Sequence, residues 1–224
     1  MKKFFIKHHI HNKMLMNVIL NIFTPRKSGT PQFVDLGLPS GLKWAKCNVG
    51  AKKETDYGYY FQWGDIVNKR KSNRGWKRYK HCKGTKETMT KYCRYLLHGT
   101  VTDKSTLDPE DDAATQIMGG DWRMPTIDEF GELLYNTTKE WIQVNGVNGY
   151  KFTSVNNGNS IFIPAAGAYL DGSMYGVGEY GDVWSSSPYT SYPYNAWGLH
   201  FCAGKYDIDY YARYYSLPVR GVMD

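Results

Sequence analysis

Downstream of residue 140 the chain is cut into brief runs by turn-forming residues, and nothing else in it restricts the possible folds as much. Val144-Asn-Gly-Val-Asn-Gly and Val155-Asn-Asn-Gly-Asn set Asn and Gly, which tolerate positive φ, between runs whose apolar and polar residues alternate. Runs this short build antiparallel hairpins. Strands are expected at 140–143, 149–155, 160–164, 183–187, 196–202 and 219–222. Upstream, Phe33-Val-Asp-Leu-Gly-Leu-Pro-Ser-Gly-Leu-Lys-Trp-Ala reads as two more strands around a turn at Pro39-Ser-Gly41, and Tyr57-Gly-Tyr-Tyr-Phe-Gln-Trp-Gly as an aromatic strand.

Two segments have helical signals. Asp108-Pro-Glu-Asp-Asp-Ala-Ala-Thr-Gln-Ile-Met offers Asp108 as a cap, Pro109 in the first turn and acids at the positive end, with Gly119-Gly120 as a stop. In Pro125-Thr-Ile-Asp-Glu-Phe-Gly-Glu-Leu-Leu-Tyr, Thr126 and Glu129 have capping-box spacing, and Phe130, Leu133 and Leu134 form an apolar stripe. Strands do not alternate regularly with helices, which argues against a doubly wound parallel sheet. The expected class is α+β: short antiparallel strands, two helices and long irregular loops.

With 224 residues, 42% of them apolar and 22% charged, the chain suits one main domain with an N-terminal appendage. Thr24-Pro-Arg-Lys-Ser-Gly-Thr-Pro has linker composition, so residues 1–31 are set apart from a domain at 32–224. Within 1–31, lysines and histidines precede Met14-Leu-Met-Asn-Val-Ile-Leu-Asn-Ile-Phe, which reads equally as a weak secretory signal or as a short docking helix. Neither reading makes it a transmembrane span. Eleven basic residues face the single acid Glu87 across 66–94. That charge would attract phosphate, anionic lipid or acidic glycan, but it is read first as a solvated, lysine-rich irregular loop without a specific nucleic-acid partner. Cys47, Cys82, Cys93 and Cys202 lack metal-ligand or redox spacing, and no metal or cofactor is implied.

The C-terminal stretch has a different character. Eight of the nineteen tyrosines fall within 189–215, among Ser, Gly, Asn and Asp. Tyrosine provides a rigid amphipathic contact surface at low entropic cost, as in binding loops, and it also favours β-structure.

Several phrases, in this order, resemble the Fibrobacter succinogenes major paralogous domain, a family with relatives in Bacteroidetes. They are Val34-Asp-Leu-Gly-Leu-Pro-Ser-Gly-Leu-Lys-Trp-Ala, Cys47-Asn-Val-Gly-Ala, Tyr57-Gly-Tyr-Tyr-Phe-Gln-Trp-Gly-Asp, Trp122-Arg-Met-Pro-Thr, Asn148-Gly-Tyr, Ile161-Phe-Ile-Pro-Ala-Ala-Gly, Tyr180-Gly-Asp-Val-Trp-Ser-Ser-Ser and Pro218-Val-Arg. The resemblance covers about 32–222 and implies a C-type-lectin-like fold. Formylglycine-generating enzymes share that fold class, but their cysteine pair is unmatched, with Cys202 alone in the comparable region. The calcium-binding loop of sugar-binding C-type lectins is unmatched too.

The end of the chain, about 182–222, further resembles the variable region of diversity-generating retroelement proteins, whose adenine-directed mutagenesis of Asn codons cannot create Lys, Glu, Gln, Met or Trp. Across 189–216 only Trp197 and Lys205 belong to that excluded set. The resemblance implies a non-enzymatic receptor-binding protein at a cell or phage surface, with a protein or glycan ligand. A fixed-specificity adhesin or glycan-binding domain is the alternative. Trp184, Trp197, Leu199, Phe201, Val219 and Val222 are assigned to an invariant frame. Tyr189, Tyr192, Tyr194, Asn195, His200, Tyr206, Asp207, Asp209, Tyr210, Tyr211, Tyr214 and Tyr215 form the expected contact set, with Arg213 bracing the loop near Asp207 and Asp209.

Overall fold

The structure, a computed structural model, describes residues 32–68 and 75–224. The readings made for residues 1–31, and for the part of the basic stretch at 69–74, lie outside the described residues. Gln32–Asp224 is one compact unit.

The hairpins form where the turn signals fall. Strands β1 (Phe33–Asp35) and β2 (Lys43–Asn48) pair around the Pro39-Ser40-Gly41 turn, while β3 is only Phe61–Gln62. β4 (Met89–Cys93) and β5 (Gly99–Val101) make a parallel pair. β6 (Thr137–Val144) and β7 (Val147–Ser154) meet through Asn145-Gly146, both at positive φ (49° and 81°), the conformation a two-residue hairpin turn needs. β8 (Ser160–Pro164) completes that sheet. Then follow β9 (Ala168–Leu170), β10 (Ser173–Tyr175), β11 (Tyr180–Pro188), β12 (Asn195–Cys202), β13 (Lys205–Ala212), β14 (Ser216–Leu217) and β15 (Arg220–Met223). The sheet orders are β1-β2-β15, β10-β9-β14-β3, β11-β12-β13, β6-β7-β8 and β4-β5.

The α+β, C-type-lectin-like expectation is overturned. Among the described residues, fifteen strands in five small sheets stand against two α-helices, α1 (Ala113–Met118) and α2 (Ile127–Tyr135), of six and nine residues. The first helical signal breaks in two, which is part of the reason. Asp108 caps nothing with its side chain, because Lys91 and Lys104 hold its carboxylate. Pro109–Asp111 is a single 3-10 turn, and α1 begins only after Asp112, which accepts the Thr115 N–H at 2.9 Å. Gly119, at φ 71°, then stops it. The second signal folds as expected: α2 has the Thr126/Glu129 capping box and buries Phe130 and Leu133.

The β11-β12-β13 sheet has a hydrophobic cluster on each side. Val183, Leu199 and Phe201 point into one, with Trp44, Phe130, Tyr150, Phe152 and Ile163. Trp184 and Ala196 point into the other, with Phe61, Trp63, Met124 and Leu217. β11 is buried over nearly its whole length, so its polar residues need partners. Ser185 donates to the Trp197 carbonyl at 2.8 Å, and Ser187 accepts the first N–H of α2 at 3.1 Å.

Two fully buried arginines join the pieces. Arg220 donates to Asn48 Oδ1 and to the carbonyls of Ala45, Lys46 and Phe162, at 2.7–2.9 Å, tying β15 to β2 and β8. Burial lowers its pKa to about 10, still charged at neutral pH. Arg213 donates to the carbonyls of Asn195, Lys91 and Tyr92 and lies 4.4 Å over the Trp63 ring. Its expected position near Asp207 and Asp209 is therefore incorrect, because β13 ends at Ala212 and the chain then turns the Arg213 side chain into the interior. Substituting Arg220→Lys leaves a charged head that cannot reach all four acceptors. The loss should be about 2–4 kcal/mol, from unmet buried carbonyls and a poorly paired charge, seen as a lower denaturation midpoint at unchanged m-value. A midpoint equal to that of the unaltered chain would remove Arg220 from this role.

Candidate ligand-binding face

The pairing of β12 with β13 divides the expected contact set. Residues directly opposite one another share a face, so the pairs Trp197↔Tyr210, Leu199↔Ile208 and Phe201↔Tyr206 lie on one side, and Ala196↔Tyr211, Gly198↔Asp209 and His200↔Asp207 on the other. The twelve residues do not form a single surface.

The first side carries an aromatic strip. Tyr189, just beyond β11, stacks on Tyr210 with centroids 4.3 Å apart, and Trp197 supports both, at 4.6 and 5.7 Å. Tyr192 lies 5.8 Å from Tyr189 and from Tyr194, extending the strip along the 189–194 turn. Trp197 was assigned to the frame, but it is only half-buried and belongs to this cluster. Tyr192 and Tyr210 are 48% and 43% exposed, and the strip is seated on the core at Tyr194, which packs on the buried Tyr79, Met89 and Cys93. Tyr194 then meets the His98 ring at 5.4 Å and the Lys86 ammonium at 5.1 Å. Neither His98 nor Lys86 was expected here; both come from the basic stretch or just beyond it, some hundred positions upstream, and no local pattern signals the contact. Tyr206 stands apart, beside Tyr150 and under Lys139. Asn195 takes part through its backbone, accepting from Tyr189 N–H and Arg213.

Residues 37–222 match the Lcl C-terminal domain family. The chain belongs to that family. The match supports the resemblance to the Fibrobacter succinogenes paralogous domain. Comparison with curated proteins and with solved structures finds no match.

In this Lcl C-terminal domain the opposite side of the sheet carries a polar cluster. The Asp182 carboxylate, almost wholly buried, receives hydrogen bonds from the Tyr211 hydroxyl and from His200 Nδ1, each at 2.7 Å. Gly198 lets β11 come close: a Cβ there would lie 2.7 Å from the Val183 carbonyl oxygen, while the Tyr211 ring would be at ordinary contact distance. Tyr214 and Tyr215 pack in the interior, against Trp76 and Tyr211 respectively. Asp207 and Asp209 turn back on their own strand, accepting the N–H groups of Ile208 and Tyr210 at 2.8 Å. By the alternation of an antiparallel ladder closed by the Cys202↔Lys205 pair, those two donors face away from β12, on the free edge. The two carboxylates thus cap and charge an edge that would otherwise offer itself to another strand.

The basic stretch is not simply a solvated loop. Part of it forms β4, and Lys80 and Lys91 turn inward onto Asp111, which also accepts from the Tyr92 hydroxyl at 2.7 Å. Burial raises the Asp111 pKa, but these hydrogen bonds outweigh it and hold the group at about 2. Asp108, Glu110 and Asp111 have the closeness of metal ligands, yet Lys91 lies within 3.1 Å of all three and fills the space between them. Among the described residues no helix is long and apolar enough to cross a membrane. The four cysteines are unbridged.

The hydrogen bond to Asp182 raises the His200 pKa above its ordinary 6.5, against the opposing effect of burial. The stability this pair contributes is complete below 6.5 and is lost as pH rises through the raised value. An NMR titration of His200 should show a midpoint above 6.5 that moves down in Asp182→Asn. A midpoint below 6.5 in the unaltered chain would contradict the pairing.

Proposed function

We propose that this Lcl C-terminal domain is a non-enzymatic binding module, displayed outside the cell or on a phage particle, that holds its ligand on the aromatic strip of Tyr189, Tyr192, Tyr194, Trp197 and Tyr210. The observation that supports this most directly is the stack of half-buried Tyr189 on exposed Tyr210 over Trp197. Aromatic pairs of this kind contribute about 0.5–1.5 kcal/mol beyond area burial, which preorders the strip before a ligand arrives. A preordered, amphipathic surface loses little entropy on binding, and its hydroxyls offer polar contacts at the rim.

A diversified face is the finer form of the same proposal. The positions free to change without unsettling the interior are Tyr189, Tyr192 and Tyr210; Tyr194 packs on the buried Tyr79, Met89 and Cys93, Tyr206 on the buried Tyr150, and Tyr211, Arg213, Tyr214 and Tyr215 have structural partners of their own. Two observations test the proposal at different levels. Applied to a printed glycan array and a random-peptide display library, the domain should capture ligands whose affinity falls at least about tenfold, or about 1.4 kcal/mol, in Tyr189→Ala and Tyr210→Ala. Tyr135→Ala, at an exposed site beyond the sheet, should leave it unchanged. Capture that ignores both strip substitutions would sink the reading. For diversification, the DNA beside the gene should contain a near-identical template repeat and a reverse transcriptase gene, and a complete flanking sequence with neither rules it out.

A further inference from the structure

We infer that the ligand of this face is a protein surface with an apolar centre and a carboxylate fringe, rather than a saccharide; the inference rests on the binding role proposed for the strip. The strip does not end at Tyr194. Its contact with His98 joins it to the 3-10 turn Leu96–His98, whose two leucines are 84% and 80% exposed. Tyr95 and Val101, on either side of that turn, are exposed as well. Single surface leucines are ordinary, but two adjacent ones this bare, between exposed Tyr95 and Val101 and on the turn whose His98 touches the strip, are apolar exposure of the kind that marks interaction sites.

The chemistry of the extension separates the two ligand classes. Saccharides stack on flat rings and need polar groups for their hydroxyls, and the strip alone would serve them. Leucine side chains offer neither, and covering them with a sugar would strip water from hydroxyls without replacing its hydrogen bonds. A protein partner has aliphatic and aromatic side chains to bury there, with polar groups left to the rim. The rim is cationic. Lys86 lies over Tyr194, Lys83 is exposed in the same loop, which the Lys83 N–H closes onto the Thr88 carbonyl, and Arg94 precedes the leucine turn. Glu87, 3.9 Å from Lys86, and Asp103, 3.3 Å from Arg94, are exposed acids that compensate only part of that charge. A carboxylate-fringed partner complements this rim and is steered to it.

The test uses the whole chain, a random-peptide display library and a printed glycan array. Enriched peptides should combine Leu, Phe, Trp or Met with Asp or Glu, and their binding should fall at least tenfold in the Leu96→Glu, Leu97→Glu double variant and weaken with added salt. Both leucines are exposed, so the variant should keep the melting temperature of the unaltered chain, which is checked alongside. Capture of glycans that the leucine variant binds equally well would overturn the inference and leave the strip's binding role standing. So would peptide binding lost in Tyr189→Ala but unaffected by the leucine change. Binding that ignores the tyrosine substitutions as well would instead remove the role on which the inference rests.

Discussion

The fold depends on supplying donors to carbonyl groups at the ends of short, irregular strands. Five small sheets have many ends, and the carbonyls there lie in the interior, where an unmet acceptor costs about 1–3 kcal/mol. Arg213 and Arg220 meet this need. Each guanidinium presents several donors in a fixed plane, so one side chain can satisfy carbonyls from different elements at once. Charge is retained in the interior for this reason, with few carboxylates beside it: the partners are dipoles arranged around the cation, and the Trp63 ring covers one face of Arg213. Arg213 also helps set where the strip can be, since it holds the Asn195 carbonyl that also accepts the Tyr189 N–H.

What could be read from the sequence was local. The Asn145-Gly146 turn and the Thr126/Glu129 capping box depend on residues a few positions apart, and both folded as their spacing implied. Fold class was not legible in the same way, because it depends on how far each helical signal extends. The first signal lost its opening turn because Lys91 and Lys104, lysines outside it, hold Asp108, and Asp112 caps the helix in its place. The basic stretch was misjudged for a related reason. A run of lysines looks solvated until its acid is found, and Asp111 is twenty residues downstream of Lys91.

The contact set shows how a composition signal and a period-two pattern differ in what they determine. Tyrosine density correctly marks 189–215 as unusual, but density has no direction. Strand alternation does, and it sends Tyr210 outward beside Trp197 while Tyr211 crosses to Asp182. Adjacent tyrosines in one strand therefore belong to different physical systems, one a surface and the other an interior hydrogen-bond network. Asp207 and Asp209 belong to neither. One oxygen of each carboxylate accepts the N–H of the next residue, which gives these two acids a role at the sheet edge.

This division bears on how one domain could carry changeable specificity. A face can vary only if its residues contribute little to the stability of what lies beneath. The strip meets that condition, because Tyr189, Tyr192 and Tyr210 find their main ring partners in each other and in Trp197. Replacing one of them removes a contact of about 0.5–1.5 kcal/mol at the surface and opens no cavity. Tyr211 is the opposite case: its loss would leave the buried Asp182 with His200 as its one remaining side-chain donor. Substitution at 189, 192 or 210 therefore leaves the contacts of the interior in place, and substitution one position further along β13 does not. The boundary between surface and interior tyrosines falls between Tyr210 and Tyr211, and it is drawn by the pleat of the strand.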